Sequence, residues 1–186
     1  DRTIVIERCR FEQAGGRAIN IGGSTGLDYF RPQVGDFEAK AITVQDCEII
    51  GGMSAVAFVG CDGALVQHNT IYRPTRWPRR IVQENTGPRF VPSRKGVFQN
   101  NLIAFRGSEV RQVVNIGPGT APDTFQFTGN QWHALDSPAD TQRLIRLPAK
   151  ETGGIYDQAP GFKDAENGDL SIPGRKADEP GVRPEK

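Results

Sequence analysis

Apolar and polar residues alternate in short runs along this chain, and the runs themselves return. Ile42-Thr43-Val44-Gln45-Asp46-Cys47-Glu48-Ile49 lies over Ala64-Leu65-Val66-Gln67-His68-Asn69-Thr70-Ile71. The phrase occurs three more times, at 4–11, 96–103 and 125–132. Aligned, the copies form columns. One apolar column is Ile6, Val44, Val66, Phe98, Phe127, and another is Phe11, Ile49, Ile71, Ile103, Trp132. A polar column holds Glu7, Gln45, Gln67, Gln99, Thr128. Between them runs Cys9, Cys47, Asn69, Asn101, Asn130. Four copies carry a second short run, at 18–21, 55–58, 80–83 and 113–116. Short alternating runs rich in β-branched residues, bounded by Gly, Asn and Pro, predict strands, and no window sustains a 3.6-residue period. A unit that returns in this way predicts coils that bury their apolar faces only by stacking on neighbours.

The V-x-x-N-x-I type phrase and its Cys/Asn column resemble the right-handed parallel β-helix of the pectate-lyase-like superfamily, over roughly 3–135. The resemblance implies an all-β chain: a right-handed parallel β-helix solenoid of about five coils with a short C-terminal cap. Residues 1–135 are expected to form the coils, 136–174 a capping segment with a short helix near 141–147, and 175–186 a disordered tail. One fold of this kind hosts many activities, so function has to be argued from sites.

Strand alternation assigns faces. In the second runs Ile19, Ile21, Val56, Phe58, Ile81, Gln83, Val114 and Ile116 should point inward. The outward columns then read Ala18, Ala55, Arg80, Val113; Asn20, Ala57, Val82, Asn115; and Gly22, Val59, Glu84, Gly117. This floor of mostly small residues is flanked by loops at 73–79 and 106–112 on one side, and at 23–40, 85–95 and 117–123 on the other. It is either a groove for an extended ligand or a surface that one loop folds down to fill.

Composition narrows the classes. The chain has 186 residues with 37% hydrophobic content, 22 Gly and 13 Pro, the balance that a narrow core with many corners needs. A net charge of +1 argues against a dedicated nucleic-acid binder. No apolar run has membrane length, so no membrane partner is expected. The chain opens at Asp1, almost directly on a strand, and reads as a piece of a longer protein; an export signal for a secreted or periplasmic setting would lie upstream. Cys9 and Cys47 are expected as stacked, buried, reduced thiols and Cys61 as a free thiol in a turn. No zinc spacing is present.

The sharpest local signal is a basic segment. Arg73, Arg76, Arg79, Arg80, Arg89, Arg94 and Lys95 face a single acid, Glu84, with Tyr72, Trp77 and Phe90 interleaved. Guanidinium forks bind carboxylates in pairs, and aromatic rings stack on sugars, which suits an acidic polysaccharide such as a uronan. The alternative is that the arginines pair with Asp28, Asp36 and Glu38 of the neighbouring long loop. The superfamily resemblance implies lyases that abstract a proton beside a carboxylate, using a Lys or Arg base. Lys95 and Arg80 are the candidate bases. Arg73, Arg76, Trp77, Glu84, Arg94, Asn20 and Asn115 are the candidate substrate-binding residues. Calcium enters only if Asp28, Asp36 and Glu38 converge, so the metal ligands stay unassigned. The N-T-D and G-H-G motifs of β-helix hydrolases are absent. His68 is expected in a structural turn column, and His133 near a coil edge facing out. A non-catalytic carbohydrate-binding or structural β-helix module is the alternative reading.

Overall fold

The computed structural model describes residues 4–33 and 35–184. The chain winds in coils of three short strands. The first coil holds β1 (Ile4–Glu7), β2 (Arg10–Glu12) and β3 (Arg17–Gly22). The second holds β4 (Ala39–Gln45), β5 (Glu48–Ile50) and β6 (Ser54–Val59). The third holds β7 (Cys61–Gln67), β8 (Thr70–Tyr72) and β9 (Trp77–Val82). The fourth holds β10 (Arg94–Gln99), β11 (Leu102–Phe105) and β12 (Val114–Ile116). The fifth has only β13 (Gln126–Thr128) and β14 (Gln131–Ala134), and β15 (Glu151–Thr152) closes the stack. Three parallel sheets result: β1-β4-β7-β10-β13-β15, β2-β5-β8-β11-β14, and β3-β6-β9-β12. This is a parallel β-helix.

The register of the first two sheets is the one the repeated phrase predicts. Ile6 pairs with Val44, Val44 with Val66, Val66 with Phe98 and Phe98 with Phe127. Phe11, Ile49, Ile71, Ile103 and Trp132 stack likewise. Ile49, Ile71 and Ile103 are sealed in the core, each contributing on the order of 1.5–3 kcal/mol by burial. Between the first and second sheets the chain turns at Arg8, Asp46, His68 and Asn100. All four take positive φ, between 52° and 53°, and Gly129 follows at 61°. Asn, Asp, His and Gly tolerate that left-handed conformation better than most residues, which explains the composition of this turn column.

The next column binds the coils together. The Asn69, Asn101 and Asn130 carboxamides are fully buried. Asn101 Oδ1 accepts from Asn69 N at 3.0 Å, while its Nδ2 donates to Val66 O and Gln99 O, each at 3.0 Å. Asn130 hands the ladder to Glu151 Oε1 at 2.7 Å. Outside, the polar column forms an amide ladder that runs Gln99 to Gln67 to Gln45, both steps 2.9 Å, and ends on Glu7.

The capping region departs from expectation in detail. The helix, α1, covers only Thr141–Leu144, with Ile145 entering the core. The strand that closes the stack is β15, while Phe162 and Leu170 pack on Tyr72 and Ala104, outside the second sheet. The tail expected to be disordered lies along the coils instead, as far as residue 184; residues 185 and 186 are outside the described residues. Gly181 N donates to Asn100 O at 2.8 Å, and Arg183 clasps Asp46. Polar groups of the turn column, together with the burial of Pro180 and Gly181, hold this segment, so its lack of core-forming residues does not prevent docking. Cys9 is exposed, with the second coil stacked on one side of it, whereas Cys47 is buried as expected. Cys61 is free but buried at the head of β7 and not in a turn. His133 is also largely buried.

Candidate functional site

The outer face of the third sheet carries the richest polar array. Its strands form because Ile19, Val56 and Val114, then Ile21, Phe58 and Ile81, alternate with outward residues. The observed outward column is Asn20, Ala57, Arg80, Asn115. In the third coil this differs by two residues from the predicted column, because β9 begins at Trp77. Val82 therefore stands beside Val59, and Glu84 lies beyond the strand. The inward position of this coil belongs to Arg79, a residue whose charge hides the alternation.

Around that column the side chains interlock. Arg17 Nη2 donates to Glu84 Oε1 at 2.5 Å, and its Nη1 to Asn20 Oδ1 at 3.3 Å. Arg80 Nε donates to Asn115 Oδ1 at 2.9 Å. The Arg76 and Arg80 guanidinium carbons lie 4.2 and 4.5 Å from the Trp77 ring centroid. Partial burial lowers the Arg80 proton affinity, with the nearby Arg17 and Arg76 charges acting the same way and Glu84 opposing them. Among the described residues, only Nε of Arg80 has a hydrogen-bond partner.

The small-residue floor is not an open groove. Ala57, Val59 and Val82 form a buried cluster. The loop after β3 closes beside them, because Asn85 Nδ2 donates to Thr25 O at 2.7 Å and to the Glu38 carboxylate. Gln83 steadies the loop after β9 by accepting from Ser93 N at 2.8 Å. A ligand would therefore meet the arginine array on top of the sheet, not a trough along it.

The basic segment is dispersed by the fold. Arg79 is 0% exposed and stacks in the core on Phe98, Phe127 and Trp132. Arg73 turns to the second sheet, where its Nη2 meets Glu109 Oε1 at 2.9 Å and its Nη1 lies 3.7 Å from Glu166 Oε2. Arg94 pairs with Asp62 on the first sheet at 2.7 Å, and Lys95 Nζ stands 3.9 Å from the same carboxylate. Lys95 and Arg80 thus belong to different sheets, separated by the corner at 83–93. They do not share a site. Of the alternative pairing with the long loop, no ion pair to Asp28, Asp36 or Glu38 forms among the described residues, while the Arg94 proton affinity is raised first by its bond to Asp62 and to a lesser degree by the Asp36 charge. No group of three His, Cys, Asp or Glu side chains arranged for a metal occurs among the described residues.

Sequence reasoning missed Arg17, which sits one residue before the second run of the first coil. The signal for it was the single unmatched acid of the basic segment, Glu84, which needed a partner from another coil. It also missed a cleft of about 500 Å³ beside the second sheet, lined by Glu12, Gln13, Tyr72, Arg73, Glu109 and Glu166. There Tyr72 donates to Glu166 Oε1 at 2.8 Å. No protein-family model, curated protein or solved structure matches the chain.

Proposed function

We propose that this β-helix binds an acidic, uronic-acid polysaccharide on the outer face of β3, β6, β9 and β12. The observation that supports this reading is the gathering of three guanidinium groups, Arg17, Arg76 and Arg80, around one carboxylate and one indole. The array keeps an excess of positive charge, and the terminal nitrogens of Arg80 are available to a ligand carboxylate. A planar fork meets a carboxylate with two parallel hydrogen bonds, which a lysine cannot do. Asn20 and Asn115 flank the array and supply amides for sugar hydroxyls. The substrate class goes with a secreted or periplasmic setting.

The reading extends to a pectate-lyase-like β-elimination with Arg80 as base. Burial and the neighbouring arginine charges lower its proton affinity, as a base requires, and Arg76 would neutralise the substrate carboxylate. Lys95 has no part in this version. A non-catalytic binding module is the second reading. It is favoured by the Arg80 Nε bond to Asn115 and the stack on Trp77, which hold the guanidinium still.

The test is incubation with a panel of uronic-acid polysaccharides, reading ultraviolet absorbance of the new double bond and, separately, glycan binding. Product formed by the wild type and lost in Arg80→Ala supports elimination. Binding without product, weakened in Arg80→Ala, supports the module. No binding to any member, or binding indifferent to both Arg76→Ala and Arg80→Ala, would sink the proposal.

A further inference from the structure

The ladder that ties the coils changes chemistry at its first rung. Asn69, Asn101 and Asn130 each donate a side-chain N–H to a carbonyl of the preceding coil: Val44 O at 3.1 Å, Val66 O at 3.0 Å and Phe98 O at 2.9 Å. The same column holds Cys9 and Cys47. Glu7 pairs with Gln45 and Arg10 with Glu48, so the residues between them stack in order and Cys9 lies beside Cys47. The Cys47 thiol reaches a carbonyl of the preceding coil at Ile6 O, 3.7 Å away, and adjoins the Cys9 thiol. A thiol is a weak donor, so this junction lacks the side-chain tie that the next three possess.

The geometry suits a stronger tie. Strands of adjacent coils lie about 4.8 Å apart. That spacing falls within the roughly 4.4–6.8 Å between Cα atoms that a disulfide spans, and closure requires the two side chains to turn toward each other until their Cβ atoms lie roughly 3.5–4.5 Å apart. The two side chains also take the same direction. Cys9 Sγ lies 3.3 Å from Glu7 O, and Cys47 Sγ lies 3.3 Å from Gln45 O, the equivalent carbonyl one coil on. The sulfurs therefore stack along the solenoid and do not diverge. Cys9 is exposed and open to a reagent; Cys47 is buried behind it. Cys61, the third thiol, heads β7 in a different column and is sealed.

We propose that Cys9 and Cys47 form a modification site, a thiol pair that a small disulfide oxidant such as oxidised glutathione converts to a staple between the first two coils. In the first step the exposed Cys9 thiolate attacks one sulfur of the oxidant. A Cys9–glutathione disulfide forms and one glutathione thiolate leaves. In the second step Cys47 gives up its proton to water and its thiolate attacks Cys9 Sγ. The bond from Cys9 to glutathione breaks, a second glutathione thiolate leaves, and the Cys9–Cys47 bond forms. Two protein thiols are oxidised and one oxidant disulfide is reduced to two thiols. Burial pushes the Cys47 thiol up to about 11, and the adjoining Cys9 thiol adds to that effect, so closure is the slower step and quickens as pH rises.

The experiment treats the full chain with oxidised glutathione, denatures and alkylates it, and maps its peptides by mass spectrometry. The expected product is one intramolecular Cys9–Cys47 link, lighter by two hydrogens, with Cys61 alkylated and the denaturant midpoint raised. Dithiothreitol should reverse all three changes. Cys47→Ser should halt at the Cys9–glutathione adduct, Cys9→Ser should stay unmodified, and Cys61→Ser should behave as wild type. Circular dichroism checks that each variant folds. Recovery of Cys9 and Cys47 both alkylated, a link through Cys61, or a link between two molecules would overturn the proposal.

Discussion

The guanidinium carbon of Arg79 stands 3.7 Å from the ring centroid of Phe98, inside the coil stack and sealed from solvent. Phe127 and Trp132 complete an aromatic cage around it. Among the described residues, none of its three nitrogens has a hydrogen-bond partner. Ring faces attract the cation, but they do not replace the water its N–H groups have lost.

Replacing Arg79 with Met keeps the length and the packing and removes the buried charge. By the behaviour of other buried charges, Arg79→Met is expected to be neutral or to gain about 1–4 kcal/mol. Arg79→Ala leaves a void among three rings and should lose about 3 kcal/mol. Burial lowers the Arg79 proton affinity, partly offset by Glu151, yet a guanidinium stays charged across the accessible pH range, so the cost of burying it persists. Urea unfolding of the wild type and both variants measures the two changes; a loss in Arg79→Met as large as that in Arg79→Ala contradicts the argument.

Arg79 also marks the limit of what the sequence discloses. The columns of Ile6 to Phe127 and Phe11 to Trp132 were legible, because every member is apolar and the alternation is unbroken. So were the turn column of Asp46, His68 and Asn100 and the amide ladder of Gln45, Gln67 and Gln99. In β9 the inward position is an arginine preceded by Pro78, and both look like loop residues. A strand read from alternation alone therefore begins at Arg80, which displaces that residue by two positions from its true neighbours Ala57 and Asn115. The site suffered for a second reason. Proximity along the chain grouped Arg80 with Lys95, but a corner of the solenoid lies between them and sends each to its own sheet.

That separation predicts how the two residues respond to replacement. Lys95→Ala should leave glycan binding within about twofold of wild type, because its neighbour Asp62 is on the first sheet. Arg80→Ala should weaken binding by about tenfold or more, since it removes the bidentate partner of a carboxylate. Raising salt should weaken wild-type binding, because the array is only partly shielded from solvent. Affinity electrophoresis on one responsive glycan distinguishes the two. Equal losses would return Lys95 to the site.

Asn101 is the middle rung of the interior ladder. Its carbonyl oxygen accepts from both the Asn69 backbone N–H and the Asn69 carboxamide, at 3.0 and 2.9 Å. Its Nδ2 donates to two carbonyls at 3.0 Å. Asn101→Leu is near in volume but leaves these buried groups unpaired, at about 1–3 kcal/mol each before relaxation. A loss of at least about 3 kcal/mol is expected in chemical denaturation. Asn101→Asp should recover little, because a carboxylate cannot donate to Val66 O and Gln99 O. A loss below about 1 kcal/mol in Asn101→Leu would show that the ladder is ornamental to stability.

The tail is held by Asp46, whose side chain is 2% exposed, and by Arg183, which donates to it from Nε at 2.9 Å and from its backbone N–H at 3.2 Å. Burial alone would raise the Asp46 carboxyl, but the hydrogen bonds and charge of Arg183 outweigh it and hold the carboxyl below its ordinary value. The docking that depends on this carboxylate is complete above the ordinary carboxylate range and fades as pH falls through the lowered value. His68 lies in the same turn column. Burial, then the Arg183 charge, lower its proton affinity, against the opposing pull of Asp46. A histidine that resists protonation in the folded state removes stability as pH drops below about 6.5. Both groups therefore act in one direction, and acidification should loosen the segment around Gly181 and Val182 before the coils open. Asp46→Asn should loosen it at neutral pH, with a local cost of about 2 kcal/mol for the lost charge-assisted bonds. Hydrogen exchange at the Gly181 and Val182 amides, bonded to Asn100 O and Thr70 Oγ1, reports the tail separately from the Asn101 amide in the core. A lower protection factor at 181 and 182 on acidification, each taken against the intrinsic exchange rate at that pH, with the protection of Asn101 unchanged, is the expected pattern; loss of protection at all three together would mean that the tail and the coils unfold as one.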